Sequence, residues 1–325
     1  MVQLEIACAP RHNSNLMRKS LLSLILLTLS PAVHAWDGHA PLVQRISRMQ
    51  LNAQERASFA AFADEPDKGM DQNLDASFDP LNERRWMGGT TGSTSQGFRH
   101  MYFGGWRVSQ PLTTFQVPTQ AIGQAPNRVL ETARDARKLL GEGNRAEGLR
   151  RLAWSGHYLQ DLAQPFHSVQ IVHWRMVPWG AIGAWPPAKG FENLVKETTR
   201  TISNYHWAYE GYVLYHLKEG AFDSCLNDPA MITIQAPATA LSSPDYPREL
   251  ALAVADASVE LAPELGRAEM EKYGTRLKES EIDLAHDKGN VEYTPRSAAL
   301  DQVTCKALAN AARATELLVE WALHP

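Results

Sequence analysis

The stretch SGHYLQDLAQPFHS, residues 155 to 168, constrains this chain more than any other. His157 and Asp161 are four residues apart, so on a helix both side chains share one face, about 6 Å apart along the axis. An imidazole and a carboxylate so placed can converge on one cation. Pro165 ends or bends that helix and presents His167 near the first pair but displaced from it, an offset that suits two neighbouring metals. A second pair with the same step, His206 and Glu210 in NYHWAYEGY, again points nitrogen and oxygen ligands into one site, as zinc prefers. A lone histidine is most simply a solvated or hydrogen-bonded residue; His157, Asp161 and His167 together read as a metal site.

The remaining candidates come from less regular sequence. His100 lies in GFRHMYF, at the end of a Gly/Ser-rich run, and Asp67 lies in FADEPDKG, where Asp64 competes with it. His173, in an aromatic, Pro-rich stretch, is a pocket wall or a further ligand. His216, His286 and His324 are surface or core residues.

Residues 17 to 35, MRKSLLSLILLTLSPAVHA, have a basic start, an apolar run from Leu21 to Leu29, Pro31, and small residues at Val33 and Ala35. This is the pattern of a secretory signal peptide, with an apolar run too short to span a bilayer. Met17 is then the expected start, residues 1–35 a leader, and Trp36 the mature N-terminus. The expected location is secreted or periplasmic, with no transmembrane segment in the mature protein. An α-amino group has a pKa near 8, so the amine and carbonyl of Trp36 can chelate a metal together with the nearby His39. Cleavage leaves Cys225 and Cys305, either bridged or as two buried thiols.

Helical patterning recurs over residues 39–63, 119–163, 191–219, 248–285 and 297–323, with a break at GEGN, residues 141–144. Residues 64–118 read as a long irregular excursion, and no convincing run of alternating strands stands out. The expected fold is all-α, with residues 36–325 forming one catalytic domain that carries long loops. The formal net charge of −4 gives no overall positive field to draw in nucleic acid or anionic lipid, so such a substrate must be held locally.

The mature Trp36, the string H-x-x-x-D-x-x-x-P-x-H at 157–167 and the later H-x-x-x-E at 206–210, in that order, resemble the zinc-dependent phospholipases C and the related fungal single-strand-specific zinc nucleases. The helix, turn, helix layout before the string and the closing ALANAARATELLVEWAL are similar to that family as well. The resemblance implies three zinc ions. One is held by Asp67, His100, His157 and Asp161, a second by His167, His206 and Glu210, and the third by Trp36, His39 and a bridging Asp161. It favours Asp67 over Asp64 because Asp67 follows a proline, and it gives Asp67 a further role as catalytic base. Between His167 and His206 the chain is longer than the family usually has. FENLVKE there imitates the sequence around the family's glutamate at Glu192, but Ala188 stands where its histidine would be.

Clustered zincs suit phosphodiester hydrolysis, because they acidify water and neutralise the phosphate oxygens. Glu210, where the nucleases usually carry Asp, favours phospholipid at a membrane or micelle interface as substrate, with no stable nucleic-acid partner. The other readings are a zinc nuclease or 3'-nucleotidase on the same fold, and a secreted metal-binding protein without turnover. The loop aromatics, among them Trp86, Trp106, Trp174, Trp179 and Trp185, suit either a lipid interface or stacked bases. The sequence leaves the oligomeric state open.

Overall fold

A computed structural model describes residues 38–67, 99–109, 114–183, 186–285 and 291–324, together with 287 and 289. The leader and Trp36 lie outside the described residues, as do most of the 64–118 excursion and His286. The fold is all-α, as expected, with one small sheet inserted at the edge of the helical body.

Two short helices open the chain, α1 (His39–Arg45) and α2 (Ala53–Ala63). Asn52 starts α2 with a capping box, its side chain accepting from Glu55 N while the Glu55 carboxylate accepts from Asn52 N. Next come α3 (Ala125–Gly141) and α4 (Arg145–Leu162), an antiparallel pair joined at the GEGN break. Gly143 turns the chain there with φ 80°, a left-handed conformation natural to glycine. Val129, Ala133 and Ala136, spaced three and four residues apart, form a buried stripe on α3. Gly148 of α4 lets the pair approach closely: a Cβ there would lie 2.8 Å from the Leu140 side chain. Pro165 does end α4 and begins a new helical turn, α5 (Pro165–Ser168), whose amide at Phe166 is capped by the Gln164 side chain.

Three long helices complete the body: α6 (Pro187–Lys218), α8 (Tyr246–Tyr273) and α9 (Ala298–Leu323), with the short α7 (Asp223–Leu226) following α6. Helix α9 is buried along most of its length and packs against α3, α4 and α8. The helical pattern read over 248–285 stops early, at Tyr273, where Gly274 takes φ 59° and the chain turns back. Cys225 and Cys305 are bridged, tying α7 to α9 with a Cα separation of 5.5 Å.

The sheet consists of β1 (Phe103–Ser109), β2 (Thr114–Ile122) and β3 (Gln170–His173), in the order β2-β1-β3. It corrects the reading of 103–109 and 114–118 as irregular and of 119–122 as helical. Pro118, which lacks an amide hydrogen, is tolerated because β2 lies at the sheet edge. β3 runs parallel to β1, with Trp106 opposite Gln170 and Ser109 opposite His173. That pairing places the segment after α5 beside the segment after His100, and the site forms at this junction.

Candidate metal centre

Three buried groups of nitrogen and oxygen donors lie side by side: His39, His157 and Asp161; Asp67, His100 and His157; His167, His206 and Glu210. Of the three-zinc ligand set that the resemblance implies, every member among the described residues belongs to one of them, whereas the other candidates, Asp64 and His173, do not.

Helix α4 supplies the centre. His157 and Asp161 share its inner face, with His157 Nε2 3.3 Å from Asp161 Oδ2. His157 Nδ1 donates to the carbonyl of Ala63 at the end of α2, at 2.7 Å, which fixes the tautomer and leaves Nε2 as a lone-pair donor. Gly156 allows α2 this close, since a Cβ there would meet Phe59 Cζ at 2.9 Å.

Asp161 divides its two oxygens. Oδ2 lies 2.7 Å from His100 Nδ1, on the side of Asp67. Oδ1 lies 3.3 Å from His39 Nε2 and 3.8 Å from His167 Nδ1. The carboxylate thus stands between all three groups. Around His100 Nδ1 the neighbours are His157 Nε2 at 3.0 Å and Asp67 Oδ1 at 3.9 Å, and His157 Nε2 is 3.6 Å from the same Asp67 oxygen. Four ligands around a tetrahedral zinc with ordinary bond lengths are separated by about 3.3 Å, so these spacings match a zinc cage in scale.

Of the two competing aspartates, Asp67 lies in a donor group and Asp64 does not. Asp64 caps α2 and accepts from Ala40 N at 3.2 Å, and one turn later the chain carries Asp67 into the His100 group. Sequence spacing alone does not distinguish these two positions.

The third group draws on two elements. His206 and Glu210, one turn apart on α6, bring Nε2 and Oε1 to 2.8 Å; His167 on α5 adds its Nε2 at 3.1 Å and 3.2 Å respectively. Phe166 stacks on the His206 ring with centroids 5.2 Å apart. Tyr102 N donates to His167 O at 2.8 Å, which couples α5 to the strand entered from His100.

Several partners were missed in the sequence. Gln160 Oε1 accepts from His39 Nδ1 at 2.9 Å, and Gln164 Nε2 donates to Glu210 Oε1 at 3.3 Å. Two glutamines within the ligand string of a buried helix were the available signal. His173, the further candidate ligand, instead accepts from Arg175 N through Nδ1 and belongs to none of the three groups. Glu192 lies near the exposed start of α6. His216 Nε2 lies 2.9 Å from the Tyr293 carbonyl and His324 Nε2 lies 3.0 Å from Gln50 Oε1, so neither joins a group.

The electrostatics follow from burying carboxylates among imidazoles. Burial would raise Asp161, but His157, His100 and His39 hold it well below the usual carboxylate range. At Glu210, burial is likewise overridden by His206 and His167, and the carboxyl is held at about 2. Burial, with the nearby His39 and His100, pushes His157 well down; His167 is lowered mainly by burial. His39 is the exception: burial opposes its charge, yet Asp161, with Asp67 behind it, raises it to about 9.

Four buried atoms of the site have no hydrogen-bond partner: His39 Nε2, Asp161 Oδ1, His167 Nδ1 and Glu210 Oε2. Unsatisfied buried polar atoms are costly, and these lie in groups of imidazole and carboxylate donors. The residues present therefore fit a cluster of divalent cations.

No protein-family model matches the sequence, and no curated protein matches it. Among solved structures the chain is similar to the alpha-toxin of Clostridium perfringens from avian strain SWCP, at 12% identity and a TM-score of 0.41. The match covers 91% of this chain and 65% of that one.

Proposed function

We propose that the chain is a zinc-dependent phosphodiester hydrolase, and specifically a secreted or periplasmic phospholipase C whose residues 36–325 form one catalytic domain. The observation that carries this reading is the division of Asp161 between neighbouring groups, one oxygen toward His100 and the other toward His39 and His167. A carboxylate buried in this way suits adjacent cations, and adjacent cations suit a phosphate ester.

In this reading Asp67, His100, His157 and Asp161 hold one zinc, His167, His206 and Glu210 a second, and Trp36, His39 and Asp161 a third. Bound zinc supplies Lewis acidity, lowering the pKa of water toward 7 and neutralising phosphate charge. The chain's own residues supply position and protons. His157, its tautomer fixed by Ala63 O, offers only Nε2 to the site. Asp67, 7% exposed, is the most accessible carboxylate of the cluster and receives the proton of the attacking water. The products are diacylglycerol and a phosphorylated head group.

The test is zinc stoichiometry on protein beginning at Trp36, with parallel assays on phosphatidylcholine, phosphatidylethanolamine and single-stranded DNA, with and without chelator. Three zincs and chelator-sensitive release of phosphorylated head group are expected. Cleavage of DNA alone would replace the lipase by a nuclease, and absence of tightly bound zinc would sink the reading.

A further inference from the structure

The segment between β3 and α6 has an inner and an outer side. Met176 and Val177 are buried and face inward, while Trp174, Trp179 and, one turn into α6, Phe191 are 39%, 56% and 51% exposed. Hydrogen bonds hold the turn that carries Trp174 and Trp179. His173 N lies 3.3 Å from Met176 Sδ, Arg175 N donates to His173 Nδ1, and Met176 N donates to His173 O. The Lys278 ammonium donates to Arg175 O at 3.2 Å from the facing 3-10 turn. Trp179 Nε1 donates to Trp174 O at 3.2 Å, so its indole N–H is already satisfied within the protein and the ring can enter an apolar phase without losing that bond.

Charge distinguishes this patch from incidental exposure. From Trp174 to Phe191 the chain contains Arg175 and Lys189 and no carboxylate, with the exposed Glu192 at its far edge, although the whole protein has a net charge of −4. Exposed aromatic rings flanked by cations are the composition that sits at the boundary between lipid head groups and acyl chains. The patch is also close to the proposed site: His167 precedes Trp174 by seven residues, at most roughly 25 Å of extended chain.

We infer that Trp174, Trp179 and Phe191, with Arg175 and Lys189, form a preorganised docking surface for an anionic phospholipid bilayer. The inference rests on the phospholipase reading for its purpose, but it is tested separately. A half-exposed ring transferred into lipid changes a partition coefficient by roughly tenfold or more.

The experiment is cosedimentation of the zinc-loaded protein with phosphatidylcholine vesicles, with and without phosphatidylglycerol, read before appreciable lipid is hydrolysed. Hydrolysis of a soluble chromogenic phosphodiester is followed in parallel. The wild type should bind better when phosphatidylglycerol is present. Trp179→Ala with Phe191→Ala should weaken binding to both vesicles at least tenfold, and Arg175→Glu with Lys189→Glu should abolish the preference for anionic lipid. Both variants change exposed side chains and should leave turnover of the soluble ester unchanged. Vesicle binding by the wild type without head-group release would refute the lipase reading and leave the docking surface standing. The inference is overturned if the aromatic variant binds as the wild type does, if the wild type hydrolyses the soluble ester but ignores vesicles, or if the variant instead loses self-association.

Discussion

Gln160 reaches from α4 to His39 on α1, its Oε1 accepting from His39 Nδ1 at 2.9 Å while its Nε2 donates to Thr315 Oγ1 on α9 at 3.0 Å. Three helices thereby orient one imidazole. Partners of this kind typically tune metal affinity by 10- to 100-fold. Gln160→Leu should therefore cost roughly that factor in affinity for the zinc proposed at His39 and leave the other two zincs in place. Competitive chelation followed by metal analysis would measure it; simultaneous loss of all three zincs would argue that Gln160 is only a packing residue.

The division of Asp161 makes a second contrast. Asp161→Asn should empty the His39 group and weaken the His100 group, whereas Glu210→Gln should affect the His167 group alone. Metal content per chain reads the difference directly. Equal losses in the two variants would contradict the shared carboxylate.

Glu269 of α8 is fully buried, and neither carboxylate oxygen has a hydrogen-bond partner. Burial pushes its pKa well above the ordinary range. Because the folded-state pKa is raised, the group contributes no penalty below its unfolded pKa of about 4.3, and stability falls as pH rises from there toward the folded pKa. Glu269→Gln, which cannot ionise, should raise the midpoint of thermal unfolding by an amount that grows with pH above about 5. An unchanged difference between pH 4 and pH 8 would show that folding does not raise the pKa of this carboxyl.

The Cys225–Cys305 bridge closes a separation of 80 residues. Loop-closure entropy puts its contribution at up to about 4.5 kcal/mol. Replacing both cysteines by serine should lower the denaturation midpoint accordingly while leaving metal content unchanged, since neither cysteine lies in the metal groups.

The local parts of the site were legible and the non-local parts were not. His157 with Asp161 and His206 with Glu210 are one-turn pairs on helices, so spacing alone places them on common faces. Choosing Asp67 over Asp64 needs the course of the chain past α2, and whether Cys225 meets Cys305 needs the packing of α7 on α9. The small sheet was hidden for a similar reason: β1 contains Gly104 and Gly105, β2 contains Pro118, and β3 has only four residues. Its parallel pairing joins segments far apart in sequence, which no local periodicity announces. Trp36 and His39 remain a sequence reading in which the described residues supply only the histidine.

Every donor in the three groups lies between His39 and Glu210, whereas α8 and α9, which help to enclose them, come later in the chain. A polypeptide that emerges N-terminus first therefore exposes the side-chain donors of these groups before the helices that cover them exist. The order of the chain thus puts the donors ahead of the helices that close over them.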